Sequence, residues 1–234
     1  MKSEFVHLHN HSDYSLLDGA QRIDQLVGTI DELNMDAVAL TEHGNMFSVV
    51  SYYKQAKKAG IKPIIGCEIY VATGSRFDKN QRPGGGWGNN HLILLAQNST
   101  GYKNLMKLVT AGYLEGFYYR PRIDKELLRE YNEGLICLSG CLKGEVPEKM
   151  LNGDYEGARN AAIEYSEIFE DRYFLEIQNH GIPEEEANIQ NMKKLSSDLG
   201  LPLVCTNDAH YCKQSHSEAH DIHICLGTGK ERSD

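Results

Sequence analysis

Two kinds of stretch alternate along the chain. Residues 6–9, 37–41 (AVALT), 62–72 (KPIIGCEIYVA), 91–97 (HLILLAQ), 134–139 (GLICLS), 173–178 (YFLEIQ) and 202–208 (PLVCTND) are short and mostly continuous in apolar character. That is the pattern of strands covered on both faces. Between them the apolar spacing widens to the helical period. In residues 21–34, Ile23, Leu26, Val27, Ile30 and Leu33 mark one face of an amphipathic helix. Residues 49–59 predict a helix stopped by Gly60, 100–110 another, and 154–170 another with Asp154 placed to cap it. Residues 183–199 open with a proline and three glutamates and run into Gly200, and 215–226 predict a last helix. Seven strands alternating with helices predict an α/β fold: a parallel sheet covered by helices, more naturally a barrel than an open sheet. At 234 residues and 41% hydrophobic content the chain can form one such unit, and residues 1–234 are read as a single domain. The stretch 73–90, with RPGGGWGNN, fits neither pattern; glycine-rich loops of that length are usually functional or mobile.

Composition narrows the function. Acidic residues outnumber basic ones 33 to 24, a formal charge of −9, which argues against a broad phosphate grip built from clustered Lys and Arg. The six cysteines contain no C-x-x-C pair, and the N-terminus carries no secretory pattern, so the expectation is a cytoplasmic protein with reduced thiols. No apolar run reaches membrane-spanning length, and no membrane partner is expected. Neither G-x-S-x-G nor a P-loop is present, and PGGGWG does not follow a strand and open a helix as a dinucleotide site requires.

The informative feature is where ligand-type residues fall. His9 and His11 close the first strand, Glu42 and His43 the second, and Asp208 and His210 the seventh; Glu68 lies near the end of the third and Cys141 just past the fifth. In a barrel those ends converge on one mouth. His91, at the start of its strand, is the exception, and the loop before it is expected to fold over the mouth. Imidazole and carboxylate suit Zn, Mn or Fe, and a thiolate favours softer ions. One histidine at a strand end is more often structural, but H-x-H, D-x-H and E-H pairs together point to metal. Nine candidates exceed one tetrahedral ion, so two or three divalent ions are expected, in the arrangement that cleaves phosphate esters. His7 and the helical trio His216, His220 and His223 are read as supporting or packing residues. Arg120 and Arg122, with Tyr118, Tyr119, Lys103 and Lys107, are weaker candidates for nucleic-acid contact.

HLHNHSDYSLLDGA, ALTEHGNMF, GIKPIIGCEIYVA, GYKNLMKLV, YYRPRIDKELL, GLICLSGC and TNDAHY resemble the PHP domain found at the N-terminus of bacterial replicative DNA polymerase III alpha subunits. The resemblance implies a distorted (βα)7 barrel with a trinuclear site at the C-terminal ends of the strands. It implies that His9, His11, Glu68 and Asp208 hold one ion, that Glu68 bridges to a second held by His91 and Cys141, and that Asp18, His43 and His210 hold a third. It also implies 3′→5′ phosphodiester hydrolysis at a DNA primer end, with the other polymerase domains as partners. Glu68 would bridge, and His210 or Glu42 would assist proton transfer. Glu42 departs from the aspartate usual before the second-motif histidine. The rival expectations are a small-molecule phosphatase of histidinol-phosphatase type and a non-catalytic domain stabilised by its metals.

Overall fold

The computed structural model describes residues 3–80 and 88–233. The strands are β1 (Ala37–Leu40), β2 (Lys62–Ala72), β3 (Asn89–Ala96), β4 (Arg122–Ile123), β5 (Leu135–Leu138), β6 (Tyr173–Ile177) and β7 (Leu203–Cys205). The helices are α1 (Ile23–Glu32), α2 (Val49–Lys58), α3 (Ser99–Leu114), α4 (Lys125–Tyr131), α5 (Glu145–Leu151), α6 (Tyr155–Phe169), α7 (Pro183–Leu199) and α8 (Ser217–Thr228). The sheet runs β1-β2-β3-β5-β6-β7, with the short β4 beside β2.

The first predicted strand forms no regular ladder, yet it completes the sheet. His7 bridges Val38 of β1, and Asn10 bridges Ala209 beyond β7, both in parallel. Ala39 N–H donates to the His7 carbonyl at 2.8 Å, and His11 N–H to that of Ala209 at 2.9 Å. Residues 7–11 therefore join the two edges of the sheet into a distorted barrel. Its interior is an apolar cluster drawn from all around the ring: Ala39, Ile93, Leu95 and Leu138, with Leu8, Ile64, Phe174 and Val204 against them. The opposite strand faces pack on helices. Cys67, Leu94 and Cys137 meet Leu105, Leu128 and Phe169, and Val38 and Leu40 meet Ile23, Ile30 and Tyr52.

One strand departs from the parallel expectation. β3 runs antiparallel to both β2 and β5, while β1–β2, β5–β6 and β6–β7 are parallel. Every parallel pairing needs a crossover. The segment between β2 and β3 contains no helix among its described residues, so the chain turns back and pairs as a hairpin does. The expectation that this loop covers the mouth falls partly on residues 81–87, which lie outside the described residues.

Several local signals act as predicted. The Asp154 carboxylate accepts from Gly157 N–H at 2.9 Å at the start of α6, and α7 ends at Gly200 in the left-handed conformation. The third helix begins earlier than predicted because the Asn98 side chain caps it, accepting from Thr100 and Gly101 N–H at 2.9 and 3.0 Å. Gly101 lies directly against the turn before β5: an added Cβ would fall on the Gly134 carbonyl. Gly28, by contrast, lies on the exposed face of α1 with nothing near such a Cβ. Gly28→Ala should raise stability by about 0.5–1 kcal/mol. Gly101→Ala should lower it by about 1–3 kcal/mol, as overpacking does. Paired thermal melts of the two variants check both signs.

Candidate metal centre

The reversal of β3 places its first residues at the same rim as the last residues of its parallel neighbours. His91 sits opposite Tyr70 in the β2–β3 register, and beyond β1 the chain continues until His43 bridges Glu68. Glu68 is thus in the middle of a long strand yet level with the mouth. Its Oε2 lies 3.2 Å from His11 Nε2, 2.5 Å from His43 Nδ1 and 3.8 Å from His9 Nε2, and its Oε1 meets His91 Nδ1. Asp208 Oδ1 lies 3.1 Å from His9 Nε2 and 3.2 Å from His11 Nε2. Asp208 itself has φ +45°, a left-handed backbone uncommon outside glycine, though asparagine and aspartate adopt it more readily than most. Asp18 Oδ2 approaches His43 Nε2 at 3.1 Å and His210 Nε2 at 3.9 Å. Cys141 Sγ is 3.9 Å from His91 Nδ1.

Three sets of donors have ligand atoms within 4.8 Å of one another: His9, His11 and Asp208; His11, His43 and His210; and Glu68, His91 and Cys141. Eight of the nine residues singled out as ligands in the sequence fall in these sets; the ninth, Asp18, lies beside them with its Oδ2 3.1 Å from His43 Nε2. His7 does not join them; its ring packs edge-on against Phe5. His216 and His223 belong to none of the donor sets found among the described residues. His220 instead turns inward, its Nε2 2.8 Å from the Asp18 carbonyl, so part of the helical trio braces the site.

Glu42 is buried behind the cluster. Its carboxylate accepts from Ser12 N–H at 3.1 Å, from Ser15 Oγ–H at 2.6 Å and from the Ser12 hydroxyl. Ser15 Oγ is also 3.0 Å from His11 Nδ1, so Glu42 holds two serines, one of which orients a histidine. The sequence reading did not single out Glu176. This fully buried carboxylate meets His9 Nδ1 at 2.8 Å and accepts from Gly140 N–H at 3.0 Å and Gln178 Nε2–H at 3.1 Å. It fixes His9 with Nδ1 protonated and Nε2 turned to the cluster. The only clue was a carboxylate inside an otherwise apolar strand, YFLEIQ. Arg122 is a correction. It is 2% exposed and donates to the carbonyls of Gly116 at 3.1 Å and Asp78 at 2.6 Å, which ties loops together and leaves nothing for a nucleic acid.

The electrostatics fit cations. Burial raises the cost of charge on Glu68, yet His91 and His43 hold it well below the usual carboxylate range. Burial acts against a charged His43 as well, but Glu68 and Asp18 hold it up at about 10. Burial and the neighbouring His11 push His210 down to about 4; its Nδ1 lies 2.8 Å from the Asp208 carbonyl, which leaves Nε2 as the acceptor. Desolvation and the carboxylates of Glu68 and Asp208 push the Cys141 thiol up, so this sulfur ionises only beside added positive charge. Asp18 Oδ1, His43 Nδ1, Glu68 Oε2 and Asp208 Oδ1 are buried without a well-directed hydrogen bond, although His43 Nδ1 and Glu68 Oε2 lie 2.5 Å apart. Buried polar atoms are rarely left so. Divalent cations are the partners this donor set fits.

Above the cluster lies an open cleft of about 710 Å³, with Asp18, His43 and His91 on its floor and Phe47, Tyr113 and Phe117 on its wall.

Comparison with known proteins agrees with this geometry. The model of the PHP domain family matches residues 7–180. The chain is 49% identical over its whole length to the DNA polymerase III subunit alpha of Borreliella burgdorferi, 50% to that of Treponema pallidum and, over 96% of the chain, 46% to that of Thermus aquaticus. It spans about one fifth of the length of these relatives: 20%, 20% and 19%. Among solved structures, a Bifidobacterium adolescentis protein assigned as a metal-dependent phosphoesterase superposes with a TM-score of 0.51 at 12% identity, covering 88% of this chain and 87% of that one. A two-domain Bacteroides vulgatus protein assigned as containing a PHP-like metal-dependent phosphoesterase gives 0.50 at 17% identity, over 92% of this chain and 55% of that one. These two likenesses concern the fold. With the family model spanning most of its length and the donor cluster at the barrel mouth, this chain belongs to the PHP domain family.

Proposed function

We propose that the 234 residues form the PHP domain of a bacterial replicative polymerase alpha subunit and that it hydrolyses phosphodiesters at the 3′ end of a DNA primer. The observation that carries this reading is the convergence of imidazole, carboxylate and thiol donors from separate strand ends on one buried carboxylate, Glu68, beneath an open cleft. The names of the relatives, and the one fifth of their length that this chain spans, support DNA as the substrate and other polymerase domains as partners; the compartment we propose is the cytoplasm. Among the described residues no helix is long and apolar enough to cross a membrane. The exposed Ile222 and Leu226 of α8, at 50% and 80%, suit contact with those other domains.

The ligand roles follow the contacts. His9, His11, Glu68 and Asp208 would hold one ion, Glu68, His91 and Cys141 a second, and Asp18, His43 and His210 a third. Two or three Zn, Mn or Fe ions, when bound, would neutralise the carboxylates, acidify water and polarise a phosphoryl oxygen. With its Nδ1 on the Asp208 carbonyl, His210 has only Nε2 left to meet the third ion, so as a ligand it is not free to take a proton as well. Glu42 is a positioning residue acting through Ser15 on His11. Glu176 does the same for His9.

Asp208→Ala should lower the metal content per chain and abolish release of nucleotides from a labelled primer together; unchanged stoichiometry by elemental analysis would contradict the ligand set. The unsubstituted chain should degrade primers in preference to p-nitrophenyl phosphate, and the reverse order would favour a small-molecule phosphatase. Glu176→Ala should weaken metal binding by about 10–100-fold, the usual effect of removing a ligand's orienting partner, as measured by competition with a chelator. Ligation should also release protons. The metal-free His43, held at about 10, is protonated at neutral pH and must lose its proton to bind an ion. Affinity should therefore rise with pH, about tenfold per unit for each proton displaced, and titration calorimetry in buffers of different ionisation enthalpy reads that number.

A further inference from the structure

The reading above places the chemistry on the cleft floor and leaves its wall without a task. Phe47, Tyr113 and Phe117 are 65%, 38% and 51% exposed. Their rings form a continuous run: Phe47 and Tyr113 have centroids 6.2 Å apart, and Tyr113 and Phe117 6.3 Å apart with planes 27° from parallel. Phe47 precedes α2, whereas Tyr113 lies in the last turn of α3 and Phe117 just beyond it, so two distant segments supply one aromatic surface. Packing does not explain it, since a ring placed to stabilise the fold would be covered. Arg120 and Lys143 line the same cleft, and neither makes an ion pair among the described residues. In a chain of net charge −9, two cations with no carboxylate partner among the described residues, Arg120 lying 5.8 Å from the Tyr70 ring centroid, mark a place for anions beside a carboxylate-rich floor. Exposed aromatic faces, cations without carboxylate partners and metal-type donors in one cleft complement the parts of a nucleotide: its base, its flanking phosphates and its ester linkage.

We propose that Phe47, Tyr113 and Phe117 are a stacking platform for the unpaired terminal bases of a single-stranded DNA end, with Arg120 and Lys143 on its backbone phosphates. This rests on the phosphodiesterase reading and extends it to substrate choice. Bases in a paired end stack on one another and offer no free face, so the platform selects frayed or mismatched ends.

The test measures fluorescence anisotropy of a labelled single strand whose terminal linkages are hydrolysis-resistant phosphorothioates, with Mn²⁺ present. A matching strand with abasic 3′-terminal residues is the control. The unsubstituted chain should prefer the base-bearing strand. Phe47→Ala and Phe117→Ala should each weaken that strand by roughly 5–100-fold, the usual range for a lost base–aromatic stack, with little effect on the abasic one. Phe117→Tyr, which keeps an aromatic face, should retain the preference and guards against a folding defect. Arg120→Ala should weaken both strands alike and reduce the slope of log affinity against log salt by about 0.7. Equal affinity of the unsubstituted chain for the two strands would overturn the proposal, as would thymidine monophosphate competing as well as the strand. Hydrolysis of bis(p-nitrophenyl) phosphate by the unsubstituted chain is read separately. Its absence would sink the phosphodiesterase reading, whereas its presence without a base preference would sink the platform alone.

Discussion

The site depends on a carboxylate that cannot be buried by itself. Glu68 is fully inside the protein, where an isolated negative charge would be prohibitively expensive. Imidazoles from three other segments, His11, His43 and His91, surround it within hydrogen-bonding reach. His91 and His43 hold it ionised, and it in turn holds His43 protonated. The metal-free arrangement is thus a charge network in which protons stand where the proposed ions would bind. Removing any member leaves the others with uncompensated charge, the situation that makes buried networks sensitive to single changes.

Two features of the backbone bring that network together. The first is closure. Residues 7–11 pair on one side with β1 and on the other with Ala209, so the H-x-H pair and the D-x-H pair become neighbours through direct backbone hydrogen bonds. The second is the reversal of β3. In an all-parallel sheet His91 would lie at the far end of the barrel from the other donors; antiparallel pairing returns it to the mouth. Around this framework a layer of supporting side chains fixes the rings: Glu176 for His9 and Ser15 for His11, with Glu42 bonded to Ser15.

The floor and the wall of the cleft differ in physical character. The floor is built on strand ends and backed by buried hydrogen bonds, which gives it the rigidity that metal ligation needs. The wall comes from the ends of helices and the loops beyond them, where aromatic rings remain exposed. His220 connects α8 to this arrangement through the Asp18 carbonyl, so the last helix contacts the segment that carries one of the donors.

By itself the sequence determined the periodic elements and the chemistry. Apolar runs such as AVALT, the cap at Asp154 and the stop at Gly200 are local signals, and side chains of ligand type at strand ends are visible once the strands are found. The direction of β3 was not legible, because an apolar strand carries no mark of which way its neighbour runs. That is why His91 looked out of place in the linear reading. The roles of Glu42, Glu176 and Arg122 were equally hidden: a buried carboxylate or guanidinium reveals its purpose only through partners that lie far away in the chain. Local order follows from short-range sterics and hydrophobic spacing, which neighbouring residues encode. The meeting of His9 with Glu176, or of Glu68 with His91, is decided by long-range packing, and only the folded chain contains it.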